Sequence, residues 1–275
     1  MEQEAKRALE VAVISDIHLG TYGCQAKAVL RYLKSIAPKI LVLNGDIVDT
    51  WQFNKNYWPK SHMQVIRQVL KMISEGTEVH YITGNHDEMM RKFVGMKLGN
   101  FQVANKLILN LDGRTAWIFH GDVFDHTMKH GKWLARMGAN GYACLLQLNK
   151  VCNFMSRRLG YGTFSLARRI KTAVKAKRGF EQTAADLAIE KGYDYVVCGH
   201  IHQPEIKTIQ NKQGSVMYLN SGDWIDRLTA LEYVSGNWKL HYQENTTGVP
   251  VFSDVEELEN NKQLFQKMLL EFDLA

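Results

Sequence analysis

The chain has 275 residues, 45% hydrophobic and 23% charged, which is ordinary globular usage with enough length to bury a sizeable core. No apolar run approaches the roughly 18 residues that a bilayer crossing needs. Met1–Glu10 mixes charges where a secretory leader would carry an apolar stretch, so a cytoplasmic protein is expected. The net charge of +6 is segregated. Twelve Lys/Arg and no Asp/Glu lie between Thr127 and Phe180, which leaves the remainder at about −6 and suits an anionic partner: phosphate, nucleic acid or a membrane surface.

In chain order, the first β-branched run is Val11–Ser15, which leads into Asp16-Ile17-His18. Ala26, Val29, Leu30, Leu33 and Ile36 then fall at helical spacing, with Pro38 as the stop signal. A second run, Leu41–Asn44, leads into Gly45-Asp46-Ile47-Val48-Asp49, followed by an aromatic loop with Trp51, Phe53, Tyr57 and Trp58. Met63, Ile66, Leu70 and Ile73 mark a second helix ended by Gly76, and Val79–Thr83 leads into Gly84-Asn85-His86-Asp87. This β-α-β-α-β order predicts a largely parallel core. Later runs lie closer together: 106–111, 115–119, 206–209, 216–219, 228–234 and 238–242. Turn signals such as Asp112-Gly113 and Ser235-Gly236 separate them, so this part is expected to be antiparallel or mixed.

Two more runs end in the same residue types. Ala116–Phe119 leads into His120-Gly121-Asp122, and Tyr195–Cys198 into Gly199-His200-Ile201-His202. Between them, residues 123–182 form an insert. Tyr142 to Met155 and Phe164 to Val174 have helical spacing, with a break at Gly160-Tyr161-Gly162, so a basic helical hairpin is expected. Val255–Phe272 reads as a further amphipathic helix. The four cysteines form no CxxC pair, which fits a reducing compartment.

Five strand ends thus present Asp, His and Asn to one place, because ligands in open α/β sheets bind beyond the carboxyl ends of the strands. Carboxylate, imidazole and amide donors together suit borderline divalent metals, and a carboxylate can bridge two of them. The candidate ligands are Asp16, His18, Asp46, Asn85, His120, His200 and His202. The lone histidines His80, His126, His130 and His241 read as surface or packing residues. Asn220–Trp224 reads as an ordinary turn.

The ordered set Asp-x-His, Gly-Asp-x-x-Asp, Gly-Asn-His-Asp, His-Gly-Asp and Gly-His-x-His, spanning residues 16 to 202, resembles the calcineurin-like metallophosphoesterases. The resemblance implies an α/β fold, a four-layer αββα sandwich of two mixed sheets, here a single domain over 1–275 with a helical-hairpin lid at 123–182. It implies two divalent ions, Mn first with Fe or Zn as alternatives. Asp16, His18, Asp46 and His202 would hold one, and Asp46, Asn85, His120 and His200 the other. His86 would be the general acid, oriented by Asp49. Asp122 would act from behind the ligands, and Asp87 would cap its loop.

Within that superfamily, the length, the Gly-His-Ile-His-Gln-Pro sequence and the basic insert are similar to the UDP-2,3-diacylglucosamine pyrophosphatases. That similarity implies an acylated nucleotide-sugar or other lipid phosphate as substrate and peripheral attachment to the inner face of an anionic membrane. It implies no nucleic acid and no obligate protein partner. Arg157, Arg158, Arg168, Arg169 and Lys171 would contact substrate; the residues themselves also offer Trp51, whose aromatic loop reads either as a substrate wall or as a satellite cluster. The chain has His86 where many of those enzymes carry Arg. A phosphodiesterase or phosphatase on another lipid phosphate or nucleotide therefore stays open beside it. An inactive partner-binding scaffold is the alternative of another class.

Overall fold

The computed structural model describes residues 5–51, 57–124 and 179–244. Two sheets face each other. The first has seven strands in the order β12-β11-β1-β2-β3-β5-β4 and the second five in the order β6-β7-β8-β10-β9. The strands are β1 (Arg7–Ile14), β2 (Ile36–Asn44), β3 (Glu78–Ile82), β4 (Lys97–Leu98), β5 (Phe101–Ala104), β6 (Leu107–Leu111), β7 (Arg114–Ile118), β8 (Tyr195–Cys198), β9 (Glu205–Gln210), β10 (Ser215–Asn220), β11 (Thr229–Val234) and β12 (Asn237–Tyr242). As the β-α-β-α-β order requires, β1, β2, β3 and β5 run parallel. The second sheet is mixed, with parallel β7-β8-β10 flanked by antiparallel β6 and β9.

Strand alternation builds the layers. Ala12, Ile14, Leu41 and Leu43 pack on the side of α1 (Ala26–Ser35) and α2 (Lys60–Ser74). Val11, Val13 and Val42 face Ile118, Val197 and Leu219 of the second sheet. Strands buried on both faces read as unbroken apolar runs, which is why they stand out in the sequence. A third helix, α3 (residues 179–190), covers the far face of the second sheet through Phe180, Ala184, Ala185 and Ala188, against Val196, Cys198, Val216 and Tyr218. The order is helix, sheet, sheet, helix. At about 25 cal/mol per Å² of apolar area, each fully buried Leu, Ile or Val in these interfaces contributes roughly 1.5–3 kcal/mol.

Several expectations change. Helix α1 ends at Ser35, and Ile36 already starts β2, with Pro38 inside that strand opposite Leu9. The residue before a proline is pushed to extended backbone, so the helix stops earlier than the periodicity suggested. In α2 the buried side chains are His62, Val65, Gln68 and Met72, while Met63 and Leu70 of the expected stripe are 41% and 59% exposed. The helix is rotated because His62 can be buried at little cost: its Nδ1 accepts the Gly20 N–H at 3.0 Å. The short β4 and β5, and a 3-10 helix at Glu88–Phe93, were not expected. The central stretches of the expected hairpin and the helix at 255–272 lie outside the described residues.

Candidate metal centre

Each motif occupies the turn that leaves a strand. β1, β2 and β3 of one sheet and β7 and β8 of the other deliver them to the same end of the sandwich. The turns are tied to one another by main-chain bonds. Asp16 N–H donates to Gly45 O at 3.0 Å, His18 N–H to Asp46 O at 2.9 Å, and Gly199 N–H to His120 O at 3.0 Å. Asp16, His18, Asp46, His200 and His202 all have φ between 53° and 67°. That left-handed region is uncommon for non-glycine residues, and such strain persists where surrounding structure over-determines it, typically at functional sites.

The donors form two clusters, Asp16 with His18 and His202, and Asp46 with His120 and His200, each with its donor atoms within 4.8 Å of one another. His202 Nε2 lies 3.1 Å from Asp16 Oδ1, and His120 Nε2 lies 3.2 Å from Asp46 Oδ2. Yet Asp16 Oδ1, His18 Nε2, Asn85 Oδ1 and His120 Nε2 are buried without hydrogen-bond geometry to any described partner. Lone pairs that converge without bonding to each other are what a cation needs, so the donor set fits divalent metals.

The opposite edge of four of the ligands is held in place. His120 Nδ1–H donates to Asn44 O at 2.9 Å, which leaves Nε2 free. His18 Nδ1 is 3.1 Å from Asp49 Oδ2, with the same result. Asp16 Oδ2 accepts the His200 N–H at 3.1 Å, and Asp46 Oδ1 the His86 N–H at 2.8 Å. Such outer partners fix tautomer and orientation in metal sites. Electrostatics follow the same pattern. Burial works to raise the Asp16 pKa, but the imidazoles of His202 and His120 win and bring it down to about 2. Burial likewise opposes ionisation of Asp46, and His120 and His18 hold it far below the usual carboxylate range. Burial pulls His202 down, but Asp16, Asp223 and Asp46 lift it to about 9.

His86 stands beside this set. Its Nδ1 is 2.8 Å from Asp49 Oδ2, so one buried oxygen serves both His18 and His86. Burial works to lower the His86 pKa and is outweighed by the Asp49 bond and the charges of Asp46, Asp49 and Asp16, for a net rise. Trp51, 42% exposed, lies against the His86 ring with centroids 4.3 Å apart. Asp87 accepts from Ile47 N–H, Gly84 N–H and the Tyr81 hydroxyl, which ties the second and third turns together as a loop cap. Asp122 pairs with Arg91 of the 3-10 helix. Arg157, Arg158, Arg168, Arg169 and Lys171 lie outside the described residues.

The turn at Asn220–Trp224 is more than an ordinary turn. Ser221 Oγ bonds Ser15 Oγ at 2.7 Å, and Trp224 N–H donates to Asp16 O at 3.1 Å. Asp223 Oδ1 collects the N–H groups of Ile225, Asp226 and Arg227, while Oδ2 lies 3.6 Å from His202 Nδ1. The sequence signal was the run itself, placed at the end of a strand like the five motifs and carrying a Gly-Asp pair, Gly222-Asp223, as the second of them does.

The calcineurin-like phosphoesterase profile matches residues 9–204. A UDP-2,3-diacylglucosamine hydrolase of Stenotrophomonas maltophilia is 23% identical over 248 residues, spanning 82% of this chain and 96% of its own. One from Aliivibrio fischeri is 22% identical, spanning 86% and 99%. Among solved structures, the E. coli phosphoesterase Yfce aligns at 12% identity and a TM-score of 0.41, covering 85% of this chain and 99% of its own. Matched from β1 to the turn after β8, the chain belongs to the calcineurin-like phosphoesterase family and is a hydrolase.

Proposed function

We propose that the protein hydrolyses the pyrophosphate of a UDP-2,3-diacylglucosamine-type substrate at a membrane surface, giving UMP and an acylated glucosamine 1-phosphate. The observation that carries the chemistry is the pair of donor clusters beside the His86–Asp49 pair. The substrate class is supported by relatives named UDP-2,3-diacylglucosamine hydrolase that align over more than four fifths of the chain.

In this reading Asp16, His18, Asp46 and His202 hold one ion, and Asp46, Asn85, His120 and His200 the other, with Mn preferred over Fe or Zn. When bound, such an ion pair supplies Lewis-acid polarisation of the phosphoryl group and a water acidified for attack. Asp49 fixes Nδ1 of His86, which leaves Nε2–H to protonate the departing oxygen. Trp51 screens that proton from solvent and forms one wall for the leaving group. The basic residues Arg157, Arg158, Arg168, Arg169 and Lys171 neutralise substrate phosphate, for which the arginine fork is well shaped.

His86 in place of the arginine expected for these pyrophosphatases favours a second reading, a phosphodiesterase on another lipid phosphate. Incubation of the Mn-loaded protein with UDP-2,3-diacylglucosamine in detergent, with UMP release measured, separates the two. Release abolished by Asp46→Asn supports the first. No release, with a simple phosphodiester still cleaved, moves the assignment to the second.

A further inference from the structure

The outer helical layer carries six basic side chains and no acidic one. They are Lys27, Arg31 and Lys34 on α1, and Lys60, Arg67 and Lys71 on α2. This layer lies outside the basic insert and plays no part in the chemistry above. A groove of about 190 Å³ between the two helices is lined by Lys34, Arg67 and Lys71 with Leu30, Gln64 and Gln68. Among the described residues, Glu75 beyond the end of α2 pairs with Lys71 at 3.6 Å and with Lys6 at 3.2 Å.

The same face is apolar where solvent alone would favour polar residues. Met63 and Leu70 project from it at 41% and 59% exposure. With Lys60, Arg67 and Lys71 they make one stripe at i, i+3, i+7, i+10 and i+11. Large apolar side chains set among cations on an exposed helix face are the pattern of an interfacial helix, in which the apolar groups enter the headgroup boundary while the cations meet lipid phosphate. At the N-terminal end of α2 the stripe runs into aromatic rings. Tyr22, 52% exposed, lies against Tyr57 with centroids 3.9 Å apart and the rings tilted by 38°, and rings of this kind favour the membrane–water interface. The Gly20 N–H bond to His62 fastens this end to the turn that carries His18, so the face leads toward the metal centre.

We propose that the outer face of α1 and α2 is a docking surface for a bilayer containing anionic lipid. The inference rests on the membrane-surface reading above and names the surface that makes the contact. Nucleic acid would match the charge but would leave Met63 and Leu70 without a role, which decides for lipid.

The test is co-sedimentation of the full chain with phosphatidylglycerol-containing vesicles and with phosphatidylcholine vesicles. Each basic residue near an anionic surface is worth about a fivefold change in partitioning. Lys34→Gln/Arg67→Gln/Lys71→Gln therefore weakens binding about a hundredfold, and Met63→Ser/Leu70→Ser weakens it further. Both variants keep wild-type cleavage of a soluble phosphodiester, since none of these residues touches the metal centre. Wild-type binding that survives the triple change overturns the proposal and leaves the contact to another part of the chain. No binding of the wild type to either vesicle overturns it together with the membrane reading, while UMP release from detergent-dispersed substrate still reports on the substrate assignment. Oligonucleotide binding that depends on the three cations and not on Met63 and Leu70, without vesicle binding, overturns it in favour of nucleic acid.

Discussion

Asp49→Asn isolates the most economical feature of the site, one carboxylate shared by two imidazoles. Asp49 is 1% exposed. Its Oδ2 lies 3.1 Å from His18 Nδ1 and 2.8 Å from His86 Nδ1, and its Oδ1 accepts the Trp51 N–H at 3.0 Å. In the variant the amide oxygen keeps the Trp51 bond, and the amide NH2 turns toward both imidazoles. Each Nδ1 must then accept, which moves its proton to Nε2. For His18 that removes the lone pair offered to a metal, and loss of an outer partner of this type costs about 10–100-fold in metal affinity. For His86 it removes the charge that favours the protonated ring, and a general acid contributes about 10²–10⁴-fold. The expected result is a kcat lower by about 10²–10⁴-fold, with a metal dissociation constant about 10–100-fold higher. Calorimetric metal titration and phosphodiester cleavage at saturating metal measure the two separately. His86→Ala is the control: it reproduces the loss in kcat and leaves metal affinity intact. Wild-type metal affinity in Asp49→Asn, or equal metal loss in His86→Ala and His120→Ala, refutes the reasoning.

Gly199→Ala places a Cβ 2.6 Å from Ser15 Oγ and 2.7 Å from Asp16 Oδ2. It is expected to cost about 1–3 kcal/mol and to weaken metal binding; an unchanged denaturation midpoint contradicts this. Burial lowers the His62 pKa from 6.5 to about 4. Between those values the unfolded chain binds the proton and the folded chain does not, so stability rises with pH. The contribution is complete above 6.5 and is lost as pH falls through about 4. His62→Gln, whose amide oxygen can still accept the Gly20 N–H, is expected to flatten that part of the stability–pH curve. Equal slopes in the two proteins would dismiss the assignment.

The five strand-end motifs were legible because burial on both faces writes a strand as an apolar run, and the residue after it carries the chemistry. The rotation of α2 was not. Its sequence offers two overlapping stripes, Met63 with Leu70 and Val65 with Met72, and the choice depends on His62 finding a partner in Gly20, across the fold. Asp49 was expected to orient His86; its equal hold on His18 depends on how two separate turns meet. Asp223 could not be told from a turn residue, because its distance to His202 exists only once β10 lies beside β8. Phe101–Ala104 is too short a run to announce a strand without β3 next to it.

The Phe124 and Phe180 rings meet at 5.6 Å, edge to face, and Phe180 sits so close over Gly121 that a Cβ there would lie 2.6 Å from its ring. Phe124 and Phe180, which flank residues 125–178 in the chain, therefore stand side by side, close to His120 and His200. Rings packed this way hold the two ends of an intervening stretch together whatever its length. Such a stretch can change in length while the ligand turns stay where they are. Variation between Phe124 and Phe180 is thereby kept apart from the catalytic end, and an engineer can graft there on the same terms.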